Sequence, residues 1–408
     1  MKRVAIIGAG AAGCFCAALL REWAPDLAVT IFEAGSKPMA KLAITGGGRC
    51  NLTNDFQGIR SLAEAYPRGE RVMKRALKAF SNDDTIAWFT ARGVPCVLQS
   101  DHCWFPQSQD AMDVVRCLQR GMKGTELRLN TPVLSVSKDR GSFELAIKVA
   151  DATSNEPLSF DAVVVTTGGA AKGLPFLEGL GLEIVPPVPS LFTFNIPDKS
   201  LNSLMGLVVE AQIGLQGTAF KADGPLLITD WGLSGPATLK LSSHAARYLA
   251  ENGYKGTVAV NWLGQNENEV RAWLQKTASD NPQKLLSSIH PLQQRLWEHL
   301  LAKAGLRAGL RWAELGSKGL NRLTALLTND SYPLSGKSKF REEFVTAGGV
   351  ALSNIDLNTL ESKQHPGLFF AGEVLDIDAI TGGFNLQAAW STAYLCAKSI
   401  LNAYLCCD

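Results

Sequence analysis

This chain lacks the marks of a membrane protein, a disulfide scaffold or a hydrolase. None of its 408 residues falls in an apolar run approaching the roughly 18 that a membrane span needs. Its nine cysteines, at 14, 16, 50, 96, 103, 117, 396, 406 and 407, are odd in number and include no CxxC. That excludes a dithiol redox pair, a zinc knuckle and a paired disulfide framework. Five histidines (His102, His244, His290, His299 and His365) form no ligand spacing, so no metal site is expected. No Ser/His/Asp set or carboxylate pair stands out. Excess charge of one sign is missing too: 40 Lys and Arg against 38 Asp and Glu leave a net charge of +2. So even a balance argues against a broad polynucleotide footprint. Nucleic acid is not an expected partner, and a small-molecule substrate is. There is no internal repeat and no low-complexity segment. Met1-Lys2-Arg3 before an apolar run imitates an export signal, but Gly8 breaks that run after four residues. With the scattered cysteines, this makes a reducing cytoplasm the expected compartment.

What is present begins at the first strand. Val4-Ala5-Ile6-Ile7 is wholly apolar and stops at Gly8-Ala9-Gly10-Ala11-Ala12-Gly13. A helix-prone stretch from Cys14 to Trp23 follows, and a second apolar run, Val29 to Phe32, ends in Glu33. Strand, glycine turn, helix, strand and acid form the fingerprint of a βαβ dinucleotide site. Gly8 serves the tight turn, Gly10 lets the backbone approach a pyrophosphate, and Gly13 lets the helix pack on the strand. The pyrophosphate would sit on free N–H groups at the positive helix end, and Glu33 would accept from the adenosine ribose.

Two later strands end in glycines. One is Asp161 to Thr166, followed by Thr167-Gly168-Gly169. The other is Leu368-Phe369-Phe370-Ala371, followed by Gly372-Glu373. In two-dinucleotide-binding flavoproteins a T-G strand lies near the adenosine half of FAD and a late G-D or G-E strand near its ribityl-pyrophosphate. FAD is therefore favoured over NAD as the main ligand.

Thr45-Gly46-Gly47-Gly48-Arg49-Cys50-Asn51 is the next signal. Three glycines expose N–H groups and permit close approach to a flat ring, and Arg49 supplies a fixed positive charge. Cys50 suggests a thiol nucleophile, but a small buried packing residue is the preferred reading. Thr381-Gly382-Gly383-Phe384-Asn385-Leu386 opens a last helix whose N–H groups would face the pyrimidine side of an isoalloxazine; Asn385 also reads as an N-cap. His102, beside Trp104-Phe105-Pro106, lies in a loop that could face the ring, though an ordinary histidine is preferred there. Arg49, Cys50 and His102 are the candidate catalytic side chains.

Alternating strands and helices fill residues 1–186. Helical patterns include Glu70 to Phe80, Asp84 to Arg92 and Ala111 to Gly121. After Pro186-Pro187-Val188-Pro189 come short strands such as Leu191 to Ile196, Val208 to Leu215 and Thr257 to Trp262. Helices then dominate 265–330, before strand patterns return at Val345 to Val350 and a final helix runs from about Leu386 to Leu401.

These motifs together resemble the HI0933-like family of bacterial flavoproteins, the BaiN- or YhiN-like NAD(P)/FAD-dependent oxidoreductases. The resemblance rests on residues 8–13, 41–54, 105–111, 226–237, 344–363 and 368–393. It implies an α/β fold: a Rossmann-like FAD-binding domain of the two-dinucleotide-binding type, with an inserted β-barrel-like domain that carries a small helical subdomain. The expected boundaries are 1–186 plus 346–408 for FAD, 187–264 plus 328–345 for the barrel, and 265–327 for the helices. The resemblance implies non-covalent FAD contacted by the glycine loop with Ala11 and Ala12, by Glu33 and Ala34, by Lys41, by 45–51, and by Val133. Thr167 to Gly169, Gly372, Glu373 and Gly382 to Leu386 complete that set. One departure is the stretch Ala170 to Phe176, which is shorter than and different from the family's Ser/Pro/Gly-rich segment. Some relatives reduce carbon–carbon double bonds in steroid-like acids.

The expected activity is hydride transfer through flavin N5 from a donor such as NAD(P)H to a small-molecule acceptor. No second GxGxxG is present, so NAD(P)H would bind transiently on the ring face. The alternatives are a flavin sensor or scaffold without turnover, and a flavin-dependent RNA-modifying enzyme. The last would need a basic face, for which Lys303, Arg307, Arg311, Lys318 and Arg322 are candidates.

Overall fold

The structure, a computed structural model, describes residues 2–148, 157–169, 174–307, 309–337 and 345–405. It divides into two units, Met1–Pro189 with Val345–Asp408 and Ser190–Phe344.

The first unit is built on a five-stranded parallel sheet. Its labelled elements are β1 (Arg3–Ile7), α1 (Ala11–Trp23), β2 (Ala28–Phe32), α2 (Glu70–Ala79), β3 (Glu126–Arg128), β4 (Ala162–Val165), β5 (Leu368–Phe370) and α3 (Phe384–Leu405). The strand order is β5-β4-β1-β2-β3. A parallel sheet covered on both faces wants unbroken apolar strands, and Val4 to Ile7, Ala162 to Val165 and Leu368 to Phe370 are all buried. α1 is apolar nearly all round, with every residue from Ala12 to Leu20 buried, as expected of a helix inside the core. It packs against α3, whose Trp390, Ala393, Cys396 and Ile400 are fully buried. Phe15 joins the two through edge contacts to Trp88 and Trp390, with centroids 4.8 and 5.3 Å apart.

The register decides where chemistry can occur. Ile7 lies beside Phe32 and Val165, and Val165 beside Phe370. The four strands therefore end level, and the next residues are Gly8, Glu33, Thr166 and Ala371. Three motifs separated by hundreds of residues emerge along one edge.

The second unit is a seven-stranded antiparallel sheet. One edge is Asp330–Leu334 and the other is Gly336–Lys337, with only Ser335 between them. A single stretch of chain thus supplies both edges, which curls the sheet into a barrel-like form. Helices Glu267–Asp280, Gln294–Lys303 and Gly316–Asn329 share its core.

Two elements differ from expectation. The strand read at Leu191 to Ile196 shrinks to Phe194–Asn195, because Leu191 takes a φ of 55° that stops extension. The last helix starts at Phe384, two residues early, so Asn385 lies inside its first turn. Of the divergent stretch 170–176, residues 170–173 lie outside the described residues, and Pro175 opens a 3₁₀ turn.

Candidate functional site

The glycine loop is shaped by Thr166. Its hydroxyl donates to Gly8 O at 2.8 Å, and Gly8 turns with a φ of 107°. A Cβ on Gly8 would sit 2.6 Å from Thr166 O, and one on Gly13 would sit 2.1 Å from Gly8 O. Neither position accepts a side chain. Gly10 is different: a Cβ there would meet nothing closer than 4.0 Å, so its smallness serves what lies outside the loop. Gly10 caps α1 with no side-chain bond, and no acid stands in the first turn. The first intrahelical bond comes only at Cys14 N to Gly10 O, 3.0 Å. Ala11, Ala12 and Gly13 therefore present N–H groups at the positive end of α1.

Beside the loop, Glu33 accepts from Ala9 N through one oxygen (2.8 Å) and from Gly35 N through the other (2.7 Å). Each carboxylate oxygen keeps a lone-pair site for a vicinal hydroxyl. Ala34 is exposed next to it. The chain before Val133 passes alongside, with Thr131 N on Glu33 O at 2.8 Å and Asn130 N on Gly35 O at 2.9 Å. Further along the edge, Glu373 accepts from Thr346 N at 2.8 Å. Gly169 fits against both, since a Cβ there would lie 2.3 Å from Thr346 Oγ1 and 2.7 Å from Glu373 Oε1. Gly372 passes over α1, 3.1 Å from Ala12 Cβ by the same measure. Thr167 is exposed and Gly168 half-buried.

The third cluster joins the 45–51 loop to the start of α3. Gly46, Gly47, Gly48 and Cys50 all have positive φ, and nothing lies within 4 Å of where a Cβ on Gly47 or Gly48 would be. Thr45 is half-buried, and Lys41 is exposed on the short helix Ala40–Ile44 before the loop. The Asn51 amide, in the orientation that satisfies both groups, donates to Thr53 O (3.1 Å) and accepts from Gly383 N (3.2 Å). Asn54 donates to Gly382 O at 2.9 Å. Gly382 and Gly383 have φ of 122° and 89°, and a Cβ on Gly383 would meet Thr53 O at 2.5 Å. Behind them lies a buried network. Gln387 Oε1 accepts from Thr53 (2.6 Å) and Thr85 (3.0 Å), while its Nε2 donates to Ser391 (2.8 Å). Phe384, Asn385 and Leu386 precede the first bond of α3, Gln387 N to Gly383 O. Asn385 is not the N-cap suggested by its sequence position. Its side chain folds back to Ala379, accepting from N at 3.0 Å and donating to O at 3.1 Å.

The three candidate catalytic side chains part company. Arg49 is exposed, its guanidinium 4.6 Å over the Phe105 ring. Cys50 is fully buried, and burial pushes its thiol well above the ordinary range, so it offers no thiolate at neutral pH. His102 is half-exposed, with Nδ1 3.0 Å from Asp55 Oδ2. Its carbonyl accepts from Asp55 N at 3.0 Å, just beyond the Thr53–Asn54 strand. Several supporting residues had no individual role assigned by the sequence pattern. Thr166 locks the loop, Tyr66 donates to Phe384 O at 2.9 Å, and Arg68 pairs with buried Asp378. Asp378 and Gln387 fall within the 368–393 block, which was the one available hint. Among the described residues no cluster of His, Cys, Asp or Glu could hold a metal, and no helix is long and apolar enough to cross a membrane.

A parallel sheet whose level carboxyl ends carry a glycine loop, a free helix N-terminus and an acid closing the second strand defines a Rossmann-type flavoprotein oxidoreductase. The HI0933-like protein Rossmann domain matches residues 2–399, and the chain belongs to that family. It is 31% identical over 412 residues to the ribosomal RNA dihydrouridine synthase of Escherichia coli (strain K12), covering 98% of each chain. It is 27% identical over 415 residues to the 3-dehydro-bile acid delta(4,6)-reductase of Clostridium scindens, covering 98% of this chain and 99% of that one. Among solved structures, 3-ketosteroid delta1-dehydrogenase from Sterolibacterium denitrificans has a TM-score of 0.51 at 12% identity, covering 99% of this chain and 100% of that one. At that identity the likeness is one of fold.

Proposed function

We propose that this chain holds FAD along the strand ends and reduces a carbon–carbon double bond conjugated with a carbonyl, the substrate being a uridine of RNA. The observation that carries the substrate is the end-to-end 31% identity with the Escherichia coli ribosomal RNA enzyme. The bile-acid relative supports the chemistry. Uracil C5=C6 is conjugated with the C4 carbonyl, and a 4,6-diene beside a 3-oxo group is conjugated likewise, so both accept hydride at an electron-poor carbon. The adenosine ribose belongs at Glu33, the pyrophosphate at Gly10 to Gly13 with Thr167 to Gly169, and the ribityl chain at Gly372 and Glu373. The ring belongs between 45–51 and 382–386.

The chemistry FAD supplies when bound is hydride relay at N5, from a nicotinamide donor to the electron-poor carbon of the substrate. The chain supplies position and charge. Gly47 and Gly48 allow a flat ring close to the backbone. The open N–H groups of Phe384 to Leu386 favour negative charge. In this reading Arg49 would hold the anionic oxygen that develops on the substrate carbonyl, and exposed His102 would deliver the proton. Atoms balance as NAD(P)H plus a proton adding two hydrogens across the double bond.

The test is an anaerobic spectrum of the purified holoprotein with NADH or NADPH, followed by ribosomal RNA. Flavin bands near about 375 and 450 nm should bleach and then return on adding RNA, with uridine gaining the mass of two hydrogens. A protein colourless after reconstitution would sink the cofactor reading. Reduced flavin that RNA leaves bleached, but a 3-oxo-4,6-diene reoxidises, would move the substrate to the small-molecule class of the 27% relative.

A further inference from the structure

α2 presents a single-signed face to solvent. Arg71, Lys74, Arg75 and Lys78 are all exposed, while Val72, Met73 and Ala76 are buried on the other side. The cations stand at i, i+3, i+4 and i+7, a stripe about 100° wide and about 10 Å long. An ordinary solvated helix interleaves acids with bases at these spacings. Here the one acid of α2 is Glu70, in its first turn. Four pairs of like charge stand three or four residues apart, and each opposes the helix. Arg71 also sits in the first turn, where the helix dipole disfavours a cation. Among the described residues Arg71, Lys74 and Lys78 make no ion pair, and Arg75 bonds only the neutral Asn358 amide oxygen. The stripe does no visible structural work.

Its placement is fixed. Gly69, with a φ of 89°, begins α2 where a Cβ would come within 2.7 Å of Ile377. The preceding residues, Tyr66 and Arg68, bond Phe384 O and Asp378. The start of the stripe is thus clamped to the 377–384 segment that leads into the proposed ring site. Exposed Lys398 extends the positive surface: it lies over Tyr394, whose ring stacks on Phe80 at the far end of α2, 4.8 Å between centroids.

The sequence pattern pointed elsewhere for a basic face. In the second unit, Lys303 turns inward to buried Asp330 at 2.5 Å, and Arg311 bonds Gln283 at 2.9 Å. Two of those five cations are tied to partners of their own.

We infer that the α2 stripe is a docking track for the phosphate backbone of single-stranded RNA, holding the strand while one base is presented at the ring site. The inference rests on the reading of RNA as substrate. Four cations along about 10 Å can together neutralise about three neighbouring phosphates of a strand. Reducing a base in place requires taking it out of a stack, and a fixed grip on the neighbouring phosphates positions it without reading sequence.

The experiment titrates a labelled single-stranded ribosomal RNA fragment with holoprotein at rising salt, for the wild type and for R71E/K74E/K78E. These residues face solvent, so the variant's flavin spectrum and melting point serve as the check on folding. The wild type should bind with a log–log salt slope near −2, and the variant should bind at least tenfold more weakly with a shallower slope. Equal affinity and slope in the two proteins would overturn the docking track, as would equal capture of a poly-glutamate peptide. Stripe-dependent binding without dihydrouridine would leave the track standing and sink the substrate reading. Dihydrouridine formed equally by the variant, with unchanged affinity, would do the reverse.

Discussion

Arg68 grips both carboxylate oxygens of Asp378 across 310 residues of chain. Asp378 is fully buried and the Arg68 side chain nearly so. Removing one partner of such a pair leaves a charge in a dry site, which costs about 3–5 kcal/mol, whereas replacing both by apolar groups of similar size is close to neutral. R68A should therefore lower the thermal midpoint sharply, and R68M/D378L should recover most of the loss. Equal melting of R68A and the wild type would show that the pair contributes nothing.

The glycines of the loop should separate by role. Gly13→Ala puts a methyl 2.1 Å from Gly8 O and 2.5 Å from Thr166 Oγ1, backbone and a short side chain that cannot retreat. It should impair folding and flavin content together. Gly10→Ala meets only Thr166 O at 4.0 Å, so the apoprotein should melt normally while flavin content on purification falls at least tenfold, if the pyrophosphate lies against Gly10. Full flavin content in Gly10→Ala would place the pyrophosphate elsewhere.

This contrast shows what could be read from residues alone. The βαβ fingerprint was legible because strand, glycines, helix and acid are contiguous, and local steric rules fix each one. The end-to-end alignment of Gly8, Thr166 and Ala371 was not contiguous. It depends on sheet register, which pairs Ile7 with Val165 and Val165 with Phe370. The α/β class and a small antiparallel β-domain followed from strand and helix rhythm, and the barrel-like form of the insert followed from the family resemblance. Its closure through Ser335 did not, because two-residue strands such as Gly336–Lys337 carry no periodicity. Asn385 misled because N-cap chemistry and a clamp to Ala379 use the same side chain. Arg68 and Tyr66 were invisible, and Gln387 showed only as part of the last-helix block, because their partners lie 310 to 334 residues away in sequence.

Gln387 is the keystone of the join between the 53–54 strand and α3. Its amide serves Thr53, Thr85 and Ser391 in a fully buried setting. Gln387→Leu keeps the volume and deletes every bond, leaving the buried Thr53 hydroxyl without its acceptor while Thr85 keeps Ser81 O at 3.0 Å. An orphaned buried polar group costs about 1–3 kcal/mol. The variant should lose about 1–3 kcal/mol by urea titration of the holoprotein, with faster flavin release. Gln387→Glu keeps both acceptor roles but buries an unpaired carboxylate and loses the donor to Ser391, so it should lose at least as much. A Leu variant as stable as the wild type would mean that the Thr53 hydroxyl re-pairs at no cost.

The buried thiols set an alkaline limit on stability. Burial pushes Cys16 from about 9.0 up to about 12, and burial with the nearby Glu33 charge does the same to Cys14. Above pH 9.0 an unfolded chain gives up these protons while the folded chain keeps them, so folding stability falls as pH rises. The contribution is fully present below the unfolded value and drains away up to about 12. The slope is about 1.4 kcal/mol per pH unit for each thiol. Cys16→Ala removes one such proton. At neutral pH it should be less stable than the wild type by the cavity it leaves, a cost independent of pH. Between about pH 9 and pH 10.5 that deficit should shrink by about 1.5 kcal/mol, because only the wild type still carries the titrating thiol. Other alkaline groups cancel in the comparison. Urea midpoints of both proteins across this range decide it: converging curves support the assignment, and parallel curves would show that Cys16 ionises in the folded protein as easily as in the unfolded one.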